Sequence, residues 1–124
     1  MPVVVRESAV VLLHDPETLE LRHIRLTDAG EVLVGELACG RAAAAWLSDA
    51  LGRAGALWVG TEAEAVFPPD VLWVGAASDD AGEPLILLRN QREDTVTGRQ
   101  DTVLGLSVAA ALSLAVQLAS VPAR

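Results

Sequence analysis

The chain has 124 residues, with 17 acidic against 9 basic side chains, a formal net charge of −8 and a single cysteine. A chain of this length is one domain, able to bury roughly two thirds of its unfolded surface without a metal or a disulfide, and Cys39 has no intramolecular partner. Every basic residue is an arginine, and so sparse a positive charge excludes nonspecific capture of nucleic acid, which needs a concentrated basic surface.

No basic-then-apolar leader stands at the start of the sequence, so a cytoplasmic location is expected. Residues 3–13 are rich in β-branched side chains and read as a first strand. The segment Asp15-Pro16-Glu17-Thr18 turns the chain, because proline presets φ and Asp15 can accept from the backbone beyond it. A second strand follows from Leu19 to Leu26. Its alternation slips near His23, which predicts a bulge. Asp28-Ala29-Gly30-Glu31 is the next turn and Val32–Leu37 a third strand, so the first three strands form an antiparallel meander.

After Gly40 the period changes. Ala43, Trp46, Leu47, Ala50 and Leu51 share a helical face, with Gly52 to Gly55 as the stop. Leu57-Trp58-Val59-Gly60 returns as Leu72-Trp73-Val74-Gly75, which reads as two similar strands. Between them Thr61–Val66 suits one helical turn, ended by Pro68-Pro69. A turn at Asp79–Pro84 and a strand at Leu85–Leu88 lead into a polar run, Arg89–Asp101. Thr97 and Gln100 match a capping box, which predicts a helix from about Gly98 to Val121. The expected fold class is α+β: a mainly antiparallel or mixed sheet of about six strands, with one central helix and one long apolar C-terminal helix packed on it.

From Thr102 to Ala123 no side chain is charged, and the stretch is long enough to cross a bilayer or to form the central helix of a small fold. On a helix Ser113, Gln117 and Ser120 share one face, while Leu104, Val108, Leu112, Val116 and Ala119 line another. A lipid-facing helix has little use for Gln117, and neither flank carries an aromatic belt. A core or subunit-interface helix is the expectation, with a C-terminal membrane anchor as the alternative.

The chemistry-bearing residues are scattered. His14, His23 and Cys39 lack the close spacing of zinc ligands, so no metal site and no cofactor are expected. Cys39 precedes a helix start, but a nucleophilic thiolate needs a base that nothing in the sequence supplies. No phosphate loop, nucleophile elbow or paired CxxC is present. Arg89, Arg92 and Arg99, with Thr97 at a helix start, are candidates to grip a carboxylate or phosphate, with Glu36, His23 or Asp101 as acid or base. Trp58 and Trp73, in equivalent positions of the echoed strands, would form an apolar contact patch if both pointed outward.

The leading functional expectation is therefore a non-catalytic protein-interaction, adaptor or regulatory module that associates with a protein partner, itself included. Its interface would comprise Trp58, Trp73, Leu104, Val108, Leu112 and Val116. A small enzyme for an anionic metabolite and a membrane-anchored protein are the alternatives.

Overall fold

A computed structural model describes residues 6–58, 60–94 and 98–122, except for the side chains of residues 6, 7, 14, 93, 94 and 99. Strands β1 (Arg6–Asp15), β2 (Thr18–Thr27) and β3 (Gly30–Gly40) form an antiparallel sheet in the order β1-β2-β3. A single 3-10 turn, Arg41–Ala43, leads into helix α1 (Ala44–Leu57). Strands β4 (Ala63–Phe67), β5 (Asp70–Ser78), β6 (Pro84–Asp94) and β7 (Gly98–Ser107) form a second antiparallel sheet in chain order, and α2 (Val108–Ala119) closes the fold.

The first meander follows the pattern of its residues. Asp15 accepts from the Glu17 N–H at 2.7 Å across the first turn. Gly30 takes φ +115° at the second, a conformation that L side chains rarely adopt. The register slips between His23 and Ile24, where β3 carries Val34 as an extra residue. Leu19 and Leu21 on β2 face the core with Leu37 and Cys39 on β3.

Elsewhere the expected fold is corrected: the described residues form seven strands in two sheets. The predicted helix from Gly98 begins ten residues later, because Gly98–Ser107 pairs along β6, with Leu104 and Leu106 inward and Val103 outward. A helix there would place Gly105 mid-helix and leave β6 paired on one side only, with β5. Ser107 caps α2 by accepting from the Ala110 N–H at 3.1 Å. The proposed capping box dissolves: Gln100 lies in β7 and Thr97 lies outside the described residues. The C-terminal helix is thus 12 residues, about 18 Å long against a bilayer core of about 30 Å. Among the described residues no helix is long and apolar enough to cross a membrane.

The echoed tetrapeptides adopt different structures. Leu57 ends α1 and Trp58 is its C-cap, at φ +60°, whereas Leu72–Gly75 lies in the middle of β5. Helix α1 continues through both glycines because α2 crosses there. A Cβ on Gly55 would meet Leu112 Cδ2 at 2.8 Å, so its missing side chain permits the close approach, while one on Gly52 would make an ordinary contact with Ala115 Cβ at 3.6 Å. Ser48 Oγ donates to the Ala115 carbonyl at 2.7 Å across the same crossing. Thr61–Val66 is not helical; its second half belongs to β4.

The core lies between the two sheets and the helices. Leu47, Leu51 and Ala54 of α1 and Ala111, Leu114 and Leu118 of α2 meet Leu72, Val74, Ile86, Leu88 and Leu106. Leu104, expected in an interface, is 2% exposed and stands against Gly35 of β3, so it serves the core. Arg41 ties the ends together, donating from Nε and Nη2 to the Pro122 carbonyl and from Nη1 to that of Pro16.

Gln117 closes the free edge of β1. Its Oε1 accepts from the Val11 N–H at 2.9 Å and its Nε2 donates to the Ala9 carbonyl at 2.7 Å, as a neighbouring strand would. Gln117→Leu keeps the bulk and abandons both backbone groups, so it should lower unfolding stability by about 1–3 kcal/mol. Urea denaturation measures the loss, and hydrogen exchange should show the Val11 amide exposed first.

Candidate functional site

Strand alternation sorts the second sheet into two faces with different chemistry. On the inner face, Asn90 falls in phase with the buried Ile86 and Leu88, and Asp70 begins β5 at 1% exposure. Asn90 Nδ2 donates to Asp70 Oδ1 at 3.0 Å and to the Ala38 carbonyl on β3 at 2.9 Å. Asp70 Oδ2 accepts from the Gly40 N–H at 2.8 Å, and Arg92 Nε stands 3.5 Å from Oδ1. The free edge of β3 is therefore closed at residues 38 and 40 by two side chains of the other sheet. Asp70 was not singled out from the sequence; the available signal was a polar pair whose partner, Asn90, shares the phase of core positions.

Cys39 lies beside this network, fully buried. Removal from water pushes its thiol up to about 12 from an ordinary 9.0; the Asp70 charge adds to the rise and Arg92 opposes it. The thiol is protonated and unreactive at neutral pH.

The outer face carries a cross-strand row of Glu64, Trp73, Arg89 and Val103. A second row holds Gly75, Leu87 and Gly105. The Trp73 indole lies across Gly75, where an added Cβ would fall 2.4 Å from Cη2, so the ring rests on bare backbone. Arg89 Nε donates to Asp101 Oδ1 at 2.9 Å and Nη2 to Oδ2, a two-pronged pair that strengthens the hold of the guanidinium on its proton. Around this pair Val66 is 60% and Val103 53% exposed. A shallow concavity of about 430 Å³ is lined by Val71, Trp73, Leu87, Arg89, Gln91 and Val103, with Glu64 at its rim. Neither helix covers this face.

Among the described residues the candidate anion ligands do not converge. Arg89 and Arg92 lie on opposite faces of β6, the first paired with Asp101 and the second turned to Asp70. Thr97 and the Arg99 side chain lie outside the described residues. The acid–base candidates are equally dispersed: His23 is buried in the first sheet, Glu36 is exposed near Arg22, and Asp101 holds Arg89. Among the described residues no group of three His, Cys, Asp or Glu side chains is placed to hold a metal ion.

The interface candidates also part company. Trp58 packs against the core at the end of α1, Trp73 lies half-buried on the outer sheet face, and Leu112 and Val116 are exposed on α2 with Val108 at its start. The sequence matches no protein-family model and no curated protein.

Two predictions test this reading. Asn90→Asp sets a second carboxylate against Asp70 and removes the donor to Ala38, so it should cost about 3–5 kcal/mol at neutral pH. Urea titrations should show part of that loss recovered in acid, where one carboxyl of the pair is protonated.

The second concerns alkali. The unfolded thiol ionises near 9 and the folded one near 12, so the unfolded chain binds fewer protons between them. Stability is fully present below pH 9 and should fall as pH rises toward 12, by up to about 1.4 kcal/mol per pH unit. With no lysine and no tyrosine in the chain, no other side chain ordinarily titrates in that window. Denaturation curves of Cys39→Ala should lose the slope, whatever their absolute level.

Proposed function

We propose that this chain is a non-catalytic protein-interaction module, adaptor or regulatory in kind, which self-associates through the outer face of the four-stranded sheet. The observation that carries the reading is a largely apolar sheet face, neutral at its centre, on a chain of net charge −8, with no layer of the fold over it among the described residues. Open sheet faces in one-sided antiparallel sheets ordinarily alternate to polar residues. This one presents Val66, Val71, Trp73, Leu87 and Val103, with Arg89 neutralised by Asp101.

Charge selects the partner. Two copies of an acidic chain repel except where they meet through a neutral surface, and the Arg89–Asp101 pair makes the centre of this face neutral. A two-fold contact also lets each Arg89 face the Asp101 of the other protomer, as an isologous interface requires. Four strands about 4.8 Å apart, most of them about 30 Å long, offer a face of the order that a standard interface of ~800 Å² per partner needs. Trp73 and Arg89 at its centre are the residue types that dominate binding energy in such contacts.

Sedimentation equilibrium across a concentration series should show a species of twice the 13.0 kDa chain mass. Trp73→Arg and, separately, the more exposed Val103→Arg should each shift it to monomer while the far-ultraviolet circular dichroism is preserved. A wild-type monomer throughout the series would defeat self-association through this face.

A further inference from the structure

We propose that the N-terminal half of β3 is a strand-addition site for an extended segment of another protein, apolar at alternate positions and lysine- or arginine-bearing between them. The first sheet has two outer edges among the described residues, since β1 and β3 each pair only with β2. On β1 the edge is met by Gln117, and on the C-terminal half of β3 by Asn90 and Asp70. Residues 30–34 have no such closure among the described residues. Their edge presents backbone N–H and C=O groups able to direct another strand.

The side chains there are unlike those of a protected edge. Val32, Leu33 and Val34 are 49%, 50% and 46% exposed; Arg25 and Ile24 of β2 stand opposite Val32 and Leu33, and Leu26, 37% exposed, stands opposite Glu31. Successive strand residues point to opposite faces, so this run offers apolar contact above and below an added strand. Edge strands that must stay solitary carry lysine, proline or inward charge instead. The register slip at Val34 marks the boundary between the closed half and the open half.

Charge decides between occupants. Asp28 and Glu31 beside the open half are exposed, and so is Glu36 beyond it, 3.8 Å from Arg22. A second copy would bring the same carboxylates to the same edge. Locally the carboxylates of Asp28 and Glu31 outnumber the cation of Arg25 opposite Val32, and the overall charge of −8 adds to the attraction of a basic segment.

The test uses the full chain, ¹⁵N-labelled, with two peptide probes: a nonapeptide alternating valine and lysine, and its counterpart alternating valine and glutamate. The expected result is that the lysine peptide shifts and protects the amides of residues 30–34 and the glutamate peptide does not. Glu31→Lys should weaken the lysine peptide about tenfold, and Leu33→Lys should abolish its binding. The exposure of both residues lets folding be verified independently by the unchanged remainder of the spectrum. Equal response to both peptides, protection centred outside residues 30–34, or no response at millimolar peptide overturns the proposal. So does a dimer that Leu33→Lys dissociates and Trp73→Arg leaves intact, since the occupant would then be a second copy. Trp73→Arg itself should bind the lysine peptide as wild type does, which separates this edge from the sheet face.

Discussion

A three-stranded sheet has two edges, and the satisfaction of those edges governs how this molecule is assembled. Each unpaired backbone group buried without a partner would cost about 1–3 kcal/mol, and the fold meets the demand with side chains in place of further strands. Gln117 reaches β1 with both atoms of its amide, while Asp70 and Asn90 reach β3 at Gly40 and Ala38. Each closure binds a distant part of the chain to the first meander. Gln117 brings α2 back across more than a hundred residues, and the Asp70–Asn90 pair holds the second sheet against β3. Asp70 can be buried because Asn90, the Gly40 N–H and Arg92 converge on it.

The helix crossing makes this possible. For Gln117 to meet β1, α2 must lie close over α1, and the bare Gly55 beneath Leu112 sets that distance. The helical cost of two glycines, each about 1 kcal/mol relative to alanine, is offset by the packing of Leu112 onto Gly55 and by the Ser48 hydroxyl on the Ala115 carbonyl. With α1 and α2 both packed on the inner side, the outer face of β4–β7 has no helix over it. The exposed apolar face is thus a consequence of where the helices had to go.

The first meander was legible because its punctuation is local. Asp15 and Gly30 act within their own turns, and the slip at His23 breaks a period that runs through one strand. The second half was not, because identical local signals were resolved by distant partners. Gly52 and Gly55 look like a helix stop until a crossing helix occupies the space above them. Leu57-Trp58 and Leu72-Trp73 differ only in what stands beside them: the first pair ends and caps a helix already anchored by Leu51 and Ala54, the second lies between β4 and β6. The uncharged tail satisfied helical spacing through Leu104 and Val108, yet Leu104 and Leu106 also satisfy strand spacing, and the partner strand decided. Of the candidate site, Trp73 and Arg89 stood out as residue types, Trp73 for an apolar patch and Arg89 for an anion; their shared face with Val103 depended on register. Asp70 was invisible because a lone aspartate at the end of a turn looks solvated until Asn90 and Gly40 converge on it.

The distribution of charge separates the two open surfaces by kind of partner. On the outer sheet face the guanidinium of Arg89 is cancelled by Asp101, and the apolar residues lie around that pair with Glu64 at the rim. On the open half of β3 the apolar residues are flanked by carboxylates that nothing on the strand itself cancels. On the proposed reading a like-charged copy would meet the first and an oppositely charged segment the second. Gln117 holds β1 at Ala9 and Val11, and Asp70 and Asn90 hold β3 at Gly40 and Ala38, so a segment added to the open half of β3 would have its register limited by the bulge at Val34. Occupation of one surface leaves the other open, so a pair of copies joined through Trp73 would carry two such edges facing solvent. Two edges on one rigid assembly convert weak single-strand contacts into a bivalent one, in which the second contact forms at the effective concentration set by the first.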